Sequence, residues 1–253
     1  MSLTDFILLA LAAAGAGAVN AIAGGGTLIS FPALLAVGVS PIAANVTNAV
    51  ALCPGYLGAT LAQRRNLSGQ HTRLWLFVPA AVIGGVCGAL ILVRTQERTF
   101  EALVPYMLFL ASFLLAIQER VKAFVQQRLK AGHARSLRAI GAVSVACAGV
   151  YGGFFSAGMS VLLLAVVALT VDDDFNRVNA MKQLLAFGVN VAAAVFFLFS
   201  GRVLWVAAAV MACGALLGGA IGGRVAGYLK PSTLRWTVVI VGFGLAIYYW
   251  VRG

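Results

Sequence analysis

Long, nearly charge-free apolar runs constrain this chain more than any other feature. They cover Leu3 to Val19, Leu74 to Val93, Leu103 to Ile117, Val189 to Phe199, Val203 to Ile221 and Leu234 to Val251. A helix needs about 20 predominantly apolar residues to cross the hydrocarbon core of a bilayer. Only helices and closed barrels satisfy their backbone there. A barrel requires short segments of alternating polarity, and these runs are solidly apolar, so a barrel is excluded. Composition agrees: 62% of the 253 residues are hydrophobic and 10% charged, against about 25% charged in soluble domains. The expected fold class is an all-α polytopic membrane protein. Met1 to Asp5 is acidic where a signal peptide is positive, so the first run is expected to stay as a helix.

Charge and cysteine content narrow the function classes. The net charge of +11 lies mostly between helices, where it marks a cytoplasmic side rather than a nucleic-acid surface. Cys53, Cys87, Cys147 and Cys213 sit in apolar segments without metal-ligand spacing, so no metal or cofactor is expected. All seven acids (Asp5, Glu97, Glu101, Glu119, Asp172, Asp173, Asp174) and both histidines (His71, His133) fall in expected loops or helix ends. No nucleophile, base and orienting group come within reach of one another, so no catalytic residues and no enzyme are expected.

The chain repeats itself at an offset of about 130 residues. Leu115-Ala-Ile117 matches Leu245-Ala-Ile247, Trp75 matches Trp205, and Asn48 falls over Asn179. The expected layout is a first transmembrane repeat over 1–118, a basic cytoplasmic linker over 119–136 and a second repeat over 137–253. Each half reads as a long helix (about 3–22; 137–153), a break, a short apolar piece (about 27–38; 159–170) and three helices. Those three cover about 43–62, 74–94 and 101–118, then 178–199, 203–225 and 233–251. If 137–170 dips in and returns, then Arg177, Lys182, Arg224, Lys230 and Arg235 join the linker's side, and only Arg202 and Arg252 lie opposite. The positive-inside rule prefers that arrangement. It makes the halves inverted copies, a recurrent transporter plan with broken helices near the midplane.

The polar residues inside apolar segments are the candidate site. Gly24, Gly25, Gly26 and Thr27 form the first break, with Asn20 before it; Ser156 and Gly158 mark the second. Glycines allow close backbone approach, and helix N-termini offer free N–H groups and partial positive charge to anions. The alternative is kinks serving close packing. Asn45, Thr47 and Asn48 can donate to an oxyanion or cap the helix after Pro41. In the matching stretch Asn179, Lys182 and Gln183 enter a span. A lysine at mid-helix costs about 2.5–3.5 kcal/mol, so Lys182 either snorkels to water or holds a positive charge for an anion. Gly84 and Gly88, like Gly214 and Gly218, have the small-xxx-small spacing of close helix packing.

Ala18-Val-Asn-Ala-Ile-Ala-Gly24-Gly-Gly26-Thr-Leu-Ile-Ser-Phe-Pro32, followed by Ala43-Ala-Asn-Val-Thr-Asn48, resembles the sulfite exporter TauE/SafE family. Gly149-Val-Tyr-Gly-Gly-Phe-Phe-Ser-Ala-Gly158 and Asn179-Ala-Met-Lys182 resemble its second copy, although Ser156-Ala157-Gly158 stands where a glycine triplet is usual. The resemblance spans nearly the whole chain. It implies a multi-pass cell-membrane exporter of small sulfur-containing anions such as sulfite or sulfoacetate. The alternative is another small organic or inorganic anion. The expected partners are that anion and the lipid bilayer, with a homo-oligomer open and nucleic acid excluded.

Overall fold

The structure, a computed structural model, describes residues 1–22, 25–130, 138–171, 173–225 and 231–252. Gly24, His133, Arg135, Asp172 and Lys230 lie outside them. Among the described residues all regular structure is helical. The described residues form ten α-helices in succession: α1 (Leu3–Ile22), α2 (Thr27–Ala36), α3 (Pro41–Ala62), α4 (His71–Arg94), α5 (Glu97–Lys130), α6 (Arg138–Phe154), α7 (Met159–Thr170), α8 (Phe175–Leu198), α9 (Trp205–Val225) and α10 (Pro231–Arg252), with a 3-10 turn at Arg64–Leu67. Among the described residues α1, α4, α5, α8 and α10 are long and apolar enough to cross a membrane. The apolar runs therefore became helices, and the chain is a multi-pass helical membrane protein.

One expected helix end differs. The helix expected over about 101–118 runs on to Lys130, so α5 extends into the stretch expected as a linker at 119–136. Val121, Val125 and Leu129 recur every four residues, and this stripe packs into the core around Leu163, Met181 and Leu185. Val125 is 1% exposed. Burial of that one stripe is enough to keep the helix going. At 34 residues and about 1.5 Å rise per residue, α5 is some 50 Å long, well beyond a bilayer core. Glu119, expected at a helix end, thus stands inside a helix.

The two halves exchange partners. α1 packs along α9, and α4 packs along α6. Close approach accounts for both pairings: a Cβ on Gly214 or Gly218 would strike the carbonyls of Ala10 and Ala14, and a Cβ on Gly84 or Gly88 those of Ala146 and Val150. These residue pairs advance together, so each pair of helices is parallel. By contrast α3 and α8 run antiparallel, because Cys53 meets Asn190 while Thr60 meets Gln183. α5 and α10 are antiparallel as well, with Tyr106 against Trp250 and Glu119 against Arg235.

These directions give the bundle two distinct ends. One gathers the start of α4, the 3-10 turn, the far end of α5, the end of α7 and the start of α8. Asp173 there accepts from Arg73 at 2.6 Å and pairs with Arg177 at 3.1 Å, while Glu119 pairs with Arg235 at 2.7 Å and Lys122 at 2.9 Å. Arg64, Arg65, Arg120 and Arg128 lie on the same elements, and this is the basic end. At the opposite end Glu97 accepts from the Ile42 N–H at 2.8 Å and Thr47 from the Leu204 N–H at 3.0 Å. α1 and α2 form a hairpin that enters from the opposite end and returns to it. α6 and α7 do the same from the basic end. α2 and α7 have 10 and 12 residues, half of what a crossing needs.

Candidate site between two hairpin tips

Each hairpin turns on a glycine held in the left-handed region. Gly25 has φ 91° and Gly158 φ 81°, values that L side chains avoid. The first tip is tied from within. Asn20 Oδ1 accepts from the Gly26 N–H at 2.8 Å, and Ser30 Oγ donates to the Gly26 carbonyl at 3.3 Å. In the second, the Tyr151 hydroxyl donates to the Ala157 carbonyl at 2.7 Å. Both tips rest on one stretch of α5: Gly25 faces Leu115, and Gly158 faces Ala111 and Leu114. A side chain at either glycine would collide there as well as strain the backbone.

The tips meet. Thr27 Oγ1 and Ser156 Oγ lie 3.4 Å apart in a buried hydrogen bond that joins residues 129 positions apart in sequence. Beneath them Phe31 and Phe155 pack edge to face at 5.3 Å. Thr27 opens α2, and Gly158 immediately precedes α7, so the N–H-rich starts of two short helices approach one another from opposite ends of the bundle.

The polar residues of α3 take three different roles. Ser40 occupies the N-cap position, with no side-chain cap bond, and Pro41 follows at the first helical position, so Asn45, Thr47 and Asn48 are not caps. Asn45 Nδ2 donates to the Phe154 carbonyl at 2.7 Å, anchoring α3 to the second hairpin. Thr47 holds the start of the α9 segment through Leu204. Asn48 is fully buried, and neither its amide nitrogen nor its amide oxygen has a partner among the described residues. It lies one turn further along the helical face that carries Asn45. Buried polar groups are nearly always paired, and an amide left with four unmet bonding positions in a core is what a bound ligand or water would satisfy.

The remaining expected residues are elsewhere. Asn179 Nδ2 donates to Gln63 Oε1 at 2.9 Å, and the Gln183 carbonyl accepts from Thr60 at 3.4 Å. Both sit toward the basic end of α8. Lys182 is half-buried on the same helix, with Lys122 of α5 as an electrostatic neighbour. Gly24 falls outside the described residues. The structure thus joins Asn20, Gly25, Gly26, Thr27, Ser156 and Gly158 at the tips, with Asn45 tied to the second hairpin, and sets Asn179, Lys182 and Gln183 apart. Ser30 and Tyr151, which fix the tips, were not among the expected site residues, nor was Ser112, fully buried on α5 and without a partner among the described residues. Tyr151 stands inside the glycine-rich second motif and was findable there; an isolated serine in an apolar helix carries no such signal.

A polytopic helical bundle with two inserted hairpins and a buried polar centre is the architecture of a membrane transporter. Residues 9–249 match the family model described as Sulfite exporter TauE/SafE, and the chain belongs to that family. It is 30% identical over 229 residues to the probable membrane transporter protein YfcA of Escherichia coli (strain K12), covering 89% of this chain and 82% of that protein. A probable membrane transporter protein of Haemophilus influenzae is 29% identical over 232 residues, covering 89% and 86%. The probable membrane transporter protein ORF9 of a Sinorhizobium species is 29% identical over 236 residues, covering 92% and 87%. No solved structure matches.

Proposed function

We propose that the chain exports a small sulfur-containing anion, sulfite or a short sulfonate such as sulfoacetate, and holds it between the two hairpin tips. The observation that carries this reading is the buried meeting of Thr27 and Ser156, with the unpartnered Asn48 amide on the helix anchored to the second tip. Hydroxyls and an amide NH₂ are donors to an oxyanion, and two helix starts add partial positive charge beside them. A cation would want carboxylates or a dense set of carbonyls. The family's name supports sulfite, and the named relatives carry no substrate in theirs.

Two hairpins entering from opposite ends, and the antiparallel pairing of α3 with its counterpart α8, support an inverted repeat with the anion at its pseudo-two-fold centre. The concentration of Arg64, Arg65, Arg73, Arg120, Lys122, Arg128, Arg177 and Arg235 at one end supports a cytoplasmic location for that end in the cell membrane. Both chain termini then face outward. Outward movement of each negative charge gains about 2.3 kcal/mol per 100 mV of negative-inside potential, so efflux needs no buried proton relay. Sulfite flux from proteoliposomes under an imposed potential tests this. Flux that follows the potential is expected; flux that ignores the potential and follows a pH gradient overturns it.

A further inference from the structure

A cavity of about 360 Å³ opens between α5 and α8 at the basic end, lined by Glu119, Lys122, Ala123, Gln126, Phe175 and Asn179. Its size falls in the ordinary range of small-molecule sites, about 300–1,000 Å³. The lining is two facing helical stripes. On α5 positions 119, 122, 123 and 126 share a face, and on α8 positions 175 and 179 do, with Lys182 continuing that face one turn deeper. Lys182 makes no ion pair or hydrogen bond among the described residues. The one acid in the lining is already held: Glu119 pairs with Arg235 at 2.7 Å and with Lys122 at 2.9 Å. Lys122 is the cation in the lining, while Arg235 reaches Glu119 from α10 and Lys182 lies one turn deeper on α8, so two of the three positive charges gathered about Glu119 stand just outside the lining. Phe175 and Ala123 add an apolar wall, and Gln126 and Asn179 add neutral donors.

We infer that this cleft is a second anion-binding station, separate from the hairpin tips, which takes the oxyanion head of a small sulfonate or inorganic oxyanion arriving from the basic side. It rests on the proposed function for its substrate class and for nothing else. Lys122 exchanges its Glu119 partner for the arriving oxyanion, and Lys182, one turn in, draws the anion along α8 toward the centre. Phe175 gives the short carbon chain of an organic sulfonate a surface that a bare oxyanion does not use. An anionic lipid headgroup offers the same oxyanion chemistry, and the test separates the two sources.

The test is the charge preference of a thiol placed in the cleft. Gln126→Cys, and independently Ala123→Cys, are introduced with the four native cysteines replaced by alanine. Each is reacted in neutral-lipid vesicles with the anionic reagent methanethiosulfonate ethylsulfonate and with its cationic trimethylammonium analogue. Relative to a free thiol, the anionic reagent is expected to be favoured. Lys122→Gln or Lys182→Gln is expected to lower that preference about three- to tenfold, the effect of one unit charge a few ångströms away in a wet, salt-screened cleft. Sulfate and sulfoacetate are expected to slow the labelling. A cationic preference, or rates indifferent to both lysines, overturns the inference. Protection by phosphatidylglycerol in the vesicle without protection by sulfate or sulfoacetate also overturns it, by assigning the cleft to lipid. If the preference and protection hold while the protein carries no sulfite or sulfonate, the proposed function fails and the anion station stands.

Discussion

Replacing Asn48 with leucine separates a binding role from a structural one. The two side chains are similar in size, so the exchange leaves little cavity and little overpacking. Asn48 holds two buried polar atoms without partners among the described residues. A buried polar group left unmet costs about 1–3 kcal/mol. Removing that burden is expected to stabilise the protein without anion by about 1–3 kcal/mol, which raises the apparent melting temperature by about 2–12 °C for a chain of this size. The same change removes a donor to the anion. A hydrogen bond to a charged group contributes about 1.5–3 kcal/mol, so sulfite flux at sub-saturating concentration is expected to fall about ten- to a hundredfold. The assay pairs thermal unfolding in detergent with flux from proteoliposomes. Leucine that lowers the melting temperature by several degrees means that Asn48 serves packing. Leucine that leaves flux unchanged means that the anion passes elsewhere.

Other perturbations probe other parts of the fold. Thr27→Cys with Ser156→Cys is expected to form a disulfide under mild oxidation and to stop flux until reductant is added; free thiols after oxidation would contradict the meeting of the tips. Gly218→Leu is expected to abolish folded protein, because its side chain would occupy the Ala14 backbone, whereas Gly244→Leu, with nothing near its Cβ position, is expected to fold normally, as judged by size-exclusion profiles. Lys182→Gln is expected to weaken flux while leaving expression and melting temperature nearly unchanged; unaltered flux would make Lys182 a snorkelling residue. Cysteines at positions 4 and 252 are expected to react with an impermeant reagent from outside the cell, and labelling of either from the cytoplasm alone would overturn the inverted arrangement.

The apolar runs made the helices legible, since a bilayer imposes one solution on them. The breaks were legible because small residues followed by an apolar piece of ten or so positions neither continue a span nor begin one of full length. α5 beyond Gln118 was not, because composition there is polar and only the stripe of Val121, Val125 and Leu129 carries the helix. The exchange of partners, α1 with α9 and α4 with α6, is written in glycines at four-residue spacing. That spacing tells which face packs closely and not which helix it meets. Asn45, Thr47 and Asn48 looked equivalent as donors within a single turn. Their directions on the helix sent one to Phe154 and one to Leu204, leaving the third unmatched. Lys182 drew notice because a lysine in a span is costly, yet its depth depended on where α8 begins. With Asp174 as the N-cap, accepting from the Asn176 N–H at 2.9 Å, Lys182 lies only two turns from the basic end.

The most direct measurement is a structure with a heavy pyramidal oxyanion bound. Selenite stands in for sulfite, and its selenium scatters anomalously. One anomalous peak is expected between the hairpin tips, with selenite oxygens about 3 Å from Thr27 Oγ1, Ser156 Oγ and Asn48 Nδ2. Saturating selenite that inhibits sulfite flux but leaves no density between the tips would contradict a carrier built on their meeting.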